Sequence, residues 1–196
     1  RAFFSFMLAF DRFDNLDIDT TLYPKFTKNV EDEAREQTLR TIADHLLEQD
    51  LDYRDLFDSR KTFLTPAWAA LYGVPISIRQ EMGGLVPWVP YEYPEDHIRV
   101  GLLGQATFLS LFSHPGASSP TLRGKAVREH LLCQTIPPPP GDVDFSLVRD
   151  TDNPEFRTAR DRLTEHRNNP TCAGCHTLMD PIGLALEIFD ASGVFR

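Results

Sequence analysis

Several features that would each impose an architecture are scarce in this chain. Its 196 residues include only three cysteines, Cys133, Cys172 and Cys175, too few for a disulfide-stapled scaffold or an all-cysteine zinc ribbon. No apolar run approaches the roughly 20 residues of a membrane span, so no span is expected within it. No basic cluster interrupts a net charge of −9 and a pI near 5.1. That excludes nucleic acid and anionic membrane surfaces as expected partners; it suits a neutral or basic partner, and it also serves solubility alone. Internal repeats and long low-complexity tracts are absent too, which sets aside repeat architectures. What is present is an ordinary globular composition, long enough for one large domain or two small ones with a real core.

Ala2 to Phe10 is apolar but too short for a span, and no small-residue cleavage site follows it. Its phenylalanines run nearly all round a helical projection, which predicts a helix buried between other elements over 2–13. Because the chain begins at Arg1, it is read as a piece or a processed form, with any signal peptide outside view.

Helical spacing continues with Val30, Ala34, Leu39, Ile42, Ala43, Leu46 and Leu47, behind the acidic turn Glu31-Asp32-Glu33. A short helix is expected over 52–58. Thr65-Pro66 caps and starts another that Gly73 ends. Residues 74–97 are crowded with Pro, Gly and aromatics, a loop long enough to cover a cofactor, in which short strands could be hidden. Helices return over 104–112 and, capped by Ser119-Pro120, over 121–133. Pro137 to Pro140 form an extended spacer, and an irregular acidic stretch runs on to Asn153. The last two helices are expected over 158–166 and 180–192, the latter with Asp180 as cap, Pro181 in its first turn and Gly193 as its stop. Read this way, the chain is mainly α.

Between those last two helices stands Cys172-Ala173-Gly174-Cys175-His176. Two thiols separated by two residues reach the two vinyl groups along one porphyrin edge, and the next residue supplies an imidazole to the iron. This is the pattern of a c-type haem, attached through Cys172 and Cys175 and ligated by His176. A structural zinc site wants four ligands, and Cys133 stands alone without a second pair, which leaves only a mixed site of Cys133 and a distant histidine as the alternative. A thioredoxin-like dithiol wants a preceding strand, where residues 158–166 read as helix. A plain disulfide would not call for the histidine. Because bacteria attach haem covalently outside the cytoplasm, the motif implies a periplasmic or extracellular protein.

The C-terminal residues His166-Arg167, Cys172 to His176, Asp180-Pro181-Ile182-Gly183-Leu184-Ala185-Leu186-Glu187, Phe189-Asp190 and Gly193 resemble the large exported planctomycete-type cytochrome c proteins, whose C-terminal domains have no assigned function. Arg99-Val100-Gly101-Leu102-Leu103, Ser119-Pro120 with Arg123-Gly124, and the prolines after Cys133 extend the likeness. It runs from about Phe63 to the end and more loosely back to Arg1. The family's threonine ahead of Ser-Pro is Ser118 here, a mild change. The resemblance implies a cytochrome c-like helical domain with long Pro- and aromatic-rich loops, within a longer polypeptide. On this basis residues 1–62 are an N-terminal helical region and residues 63–196 the haem-binding region, incomplete at its C-terminus.

Function then depends on what faces His176 across the iron. A strong sixth ligand gives electron transfer with a redox partner protein or the subunits of a larger complex; an open position gives a peroxidase-like enzyme. A third reading is an assembly module with a structural haem. Met179 follows His176 too closely to reach the opposite side; His45 and His130 fit solvent-facing helix positions, and His166 a surface or capping role. His114, in a Ser-His-Pro-Gly turn, is the first candidate for the sixth ligand and Met82, before Gly83-Gly84, the second; an open site stays in play. Arg123 and Lys125 are candidate partners for haem propionates, with solvent or an acidic side chain as the alternative for Arg123. No metal beyond haem iron is expected; the carboxylates of Asp180, Glu187 and Asp190 are not read as a calcium site.

Overall fold

The computed structural model describes residues 1–77, 88–138, 154–168 and 170–196. About 53% of the described residues are helical and they include only two short strands, so the fold is mainly α. Two compact units make it up, Arg1–Ser118 with Ile188–Arg196, and Ser119–Glu187.

The first unit is built on one long helix. Its N-terminal helix, α1 (Ala2–Met7), buries none of its residues, leaving Phe3 67% and Phe6 86% exposed. This corrects the buried helix expected over 2–13. Ala9 takes a left-handed conformation, φ 55°, which breaks the helix, and the residues that reach the core are Leu8, Ala9, Phe10 and Phe13 around the break. Helix α2 (Lys28–Ala43) presents Val30, Ala34, Gln37, Thr38, Thr41 and Ile42 to the core, a stripe at helical spacing. Half of it is polar, and each polar group is satisfied. Thr38 donates to Gln105 at 2.6 Å, Thr41 donates to the Gln37 carbonyl at 2.9 Å, and Gln37 bonds the Tyr72 hydroxyl at 3.2 Å.

A π-helical turn, Asp44–Glu48, extends α2. Its extra residue rotates the face, so Leu47 points out at 77% exposure while His45 turns in, 5% exposed, its Nε2 2.9 Å from the Asp52 carbonyl. Both outcomes reverse the sequence expectation. The expected short helix is a 3-10 turn, Tyr53–Phe57.

Strand β1 (Lys61–Leu64) pairs antiparallel with β2 (Val89–Glu92), Thr62 opposite Tyr91. Between them α3 (Pro66–Tyr72) has the expected ends: Trp68 N–H donates to the Thr65 hydroxyl, Pro66 begins the helix, and Gly73, φ 67°, ends it. Helix α4 (Ala106–Leu111) is buried along its whole length.

The C-terminal residues 188–196 fold back as a turn within this unit, Phe189 bridging to Phe195. Arg99, 3% exposed, holds them in place. Its guanidinium donates to the carbonyls of Gly193, at 2.7 Å, and Gly104, and lies over the rings of Tyr72 and Phe189, 4.0 and 4.7 Å from their centroids.

In the second unit, Ser119 caps α5 (Pro120–Ala126) by accepting from Leu122 N–H, and a π-helical turn, Val127–Leu131, prolongs it. Helix α6 (Ala159–Arg167) and helix α7 (Pro170–Leu184) follow. Helix α5 lies directly on α7. A methyl group on Gly124 would stand 1.9 Å from the Met179 carbonyl oxygen, and one on Gly183 would stand 1.7 Å from that of Pro120. Only glycine at these two positions lets the backbones approach so closely. Pro137 and Pro138 are exposed; Pro139, Pro140 and the acidic stretch to Asn153 lie outside the described residues.

Candidate functional site

Helix α7 begins at Pro170, suited to a first turn because it has no N–H to leave unpaired, and runs through Pro181 to Leu184. The helix expected over 180–192 therefore starts ten residues early and already contains the cysteine motif. Cys172, Cys175, His176, Met179, Asp180 and Gly183 recur at three- and four-residue steps and so share one face. The C-terminal half of this stripe, Met179, Asp180 and Gly183, is buried under α5. Its N-terminal half carries the chemistry. Cys172 is buried at 9% exposure, Cys175 is partly exposed, and the His176 side chain is 15% exposed. Both cysteines are free thiols.

Asp180 is the residue whose role the sequence reading missed. It is not a helix cap. Placed one turn after His176 inside α7, it is 0% exposed and faces the imidazole, with its carboxylate oxygens 3.0 and 3.1 Å from His176 Nδ1. A carboxylate can only accept, so Nδ1 donates; the neutral ring then carries its proton on Nδ1 and its lone pair on Nε2. Thr121 of α5 donates a second hydrogen bond to Asp180, at 2.9 Å. The spacing His-x-x-x-Asp was the available signal, but Asp-Pro is equally the signature of a cap followed by a first-turn proline.

Arg123 lies on α5 and is fully buried. Its Nη1 donates to the Leu186 carbonyl at 2.9 Å and lies 3.6 Å from Glu187 Oε1. Lys125 pairs with Glu129 at 3.7 Å.

Residues 99–196, half of the chain, match the family model PSCyt3, described as a protein of unknown function (DUF1588). The chain belongs to the PSCyt3 family. Its name is of the cytochrome type. Residues 1–74 match a second model, PSD4, likewise a protein of unknown function (DUF1592). No curated protein and no solved structure matches the chain.

The PSCyt3 match contains the whole α5–α7 pair, with Cys172, Cys175, His176, Asp180, Thr121 and Arg123, and also Arg99 and His114. His114 is exposed in a turn of the first unit, its N–H donating to the Ala117 carbonyl at 2.9 Å. Met82 lies outside the described residues, as does the side chain of His166. Met179 is 5% exposed within α7. Among the described residues no helix is long and apolar enough to cross a membrane.

Proposed function

We propose that the chain is an exported c-type cytochrome domain carrying one haem, attached through Cys172 and Cys175, with His176 as the proximal ligand. One observation carries this reading: a single helical face offers two free thiols and an imidazole whose lone pair is directed to Nε2 by a buried carboxylate. Metal-ligating histidines characteristically donate their other nitrogen to such a partner. Cys172 and Cys175 would hold the group as thioethers, each thiol adding across a carbon–carbon double bond with its proton going to the neighbouring carbon, so attachment would need no oxidant. Bound there, haem supplies a one-electron couple.

The chain's own residues hold and orient that group. Pro170 starts the helix that presents the thiols, Asp180 fixes the imidazole ring, and Thr121 fixes Asp180. We take electron transfer outside the cytoplasm as the function, with His114 as sixth ligand and a redox protein or the subunits of a larger complex as partner. The carboxylate on His176 also favours a second reading, peroxide activation at an open distal face, because it makes the imidazole a stronger electron donor.

Expression with haem-attachment machinery should give a denaturation-resistant haem stain and a haemochrome spectrum of two thioethers. Cys172→Ala or Cys175→Ala should each leave a single thioether. A wild-type chain with no covalent haem overturns the proposal. A low-spin ferric spectrum that cyanide and peroxide leave unchanged supports electron transfer; a high-spin spectrum that shifts with them supports the enzyme. His114→Ala should convert a low-spin spectrum to high spin, and an unchanged spectrum removes His114 as the ligand.

A further inference from the structure

We infer that Asp180, seated by Thr121, sets the electron-donating strength of His176 and thereby holds the reduction potential of the iron low. The inference rests on the haem reading above and goes beyond it to what the charge of Asp180 does to the iron.

Three features of the geometry support it. The carboxylate is fully buried, so water and salt do little to screen its charge. Both of its oxygens lie within 3.1 Å of Nδ1, which makes the contact a charge-assisted hydrogen bond and not a passing approach. Asp180 is also held in place. Thr121 binds Oδ1 from α5, and α5 is fixed on α7 by the close backbone approach at Gly124 and Gly183, so the carboxylate cannot swing away from the ring.

A purely structural role explains the arrangement poorly. Asp180 stands inside α7, not at its N-terminus, where a capping carboxylate would belong. Aspartate is a weak helix former, and a buried carboxylate is costly unless its partners compensate it. Its partners here are a hydroxyl and the imidazole expected to meet the iron. Negative charge at Nδ1–H raises the basicity of Nε2, and a more basic axial nitrogen stabilises ferric over ferrous iron. Asp180 is thus a positioning residue that acts through His176.

The test is the midpoint potential of the haem-loaded chain and its Asp180→Asn variant, measured by spectroelectrochemical titration. Asparagine keeps the shape and one carbonyl oxygen that accepts from Nδ1–H, and removes the charge, with an NH2 in place of the second oxygen. The ferrous-to-ferric ratio at a fixed applied potential should rise at least tenfold, which for a one-electron couple is about 59 mV. A variant that keeps its haem and its wild-type potential overturns the inference. If the variant fails to load or fold, the wild-type holoprotein decides. With 15N-labelled histidine, the His176 Nδ1–H resonance should exchange slowly with deuterated solvent, and exchange as fast as that of an exposed imidazole overturns the role of Asp180. Haemochrome spectra of the same samples separate the two ideas. No covalent haem on the wild type defeats the functional reading, whereas covalent haem with an insensitive potential defeats only this inference.

Discussion

Adding one methyl group at Gly124 tests whether the α5–α7 contact holds the site together. The added carbon would stand 1.9 Å from the Met179 carbonyl oxygen, where ordinary contact begins near 3.4 Å, so the helices must part by about 1.5 Å. The three nearest atoms, the Met179 carbonyl oxygen and carbon and the Gly183 nitrogen, are all backbone, and no side chain can rotate to make room. Overpacking of this kind costs about 1–3 kcal/mol. The Thr121 to Asp180 hydrogen bond, 2.9 Å long, would open past 4 Å, adding about 1 kcal/mol. Gly124→Ala should therefore destabilise the chain by about 2–4 kcal/mol. Gly174→Ala is the matched control. It lies on α7 with nothing within 4 Å of the added carbon, and alanine is the better helix former, so it should stabilise by about 0.5–1 kcal/mol. Urea unfolding followed by circular dichroism measures both. Equal stability of Gly124→Ala and wild type would refute the close approach of the two backbones, and with it the account of how Asp180 is seated.

Arg99→Lys should cost about 2–4 kcal/mol, because an ammonium cannot reproduce the fork that reaches Gly104 and Gly193 or stack between Tyr72 and Phe189; the check is the urea midpoint. Burial raises the phenols of Tyr72 and Tyr93 above their usual value of 10.0. A raised folded-state value means that the folded chain keeps its protons longer, so this contribution is intact below pH 10.0 and is lost as pH climbs from there through the folded-state values. Phenolate absorbance should rise together with unfolding above that pH, and a fast, unfolding-independent titration of all the tyrosines would contradict the burial.

Much of the architecture was legible from local chemistry. Thr65-Pro66 with Gly73, and Ser119-Pro120, mark helix ends through hydrogen bonds made within a few residues, and those ends stand where the residue types place them. Patterns that depend on the rest of the chain misled. Ala2 to Phe10 is apolar enough to be core, yet a left-handed Ala9 turns α1 outward. Leu46 and Leu47 continue the helical period of α2, but a π-helical turn shifts the face and buries His45 instead. Neither break has a strong signal in composition, because each is selected by what packs beside it.

The candidate site divides in the same way. Cys172, Cys175 and His176 were candidates by spacing alone, since attachment to one porphyrin edge and ligation of its iron would need those atoms within one helical turn, and α7 carries all three on one face. What holds His176 does not follow from spacing. Asp180-Pro181 satisfies the local rules for starting a helix as well as those for continuing one, and only the packing of α5 on α7 decides between them. Two glycines let the backbones touch, Thr121 then reaches Asp180, and the carboxylate is buried against the imidazole.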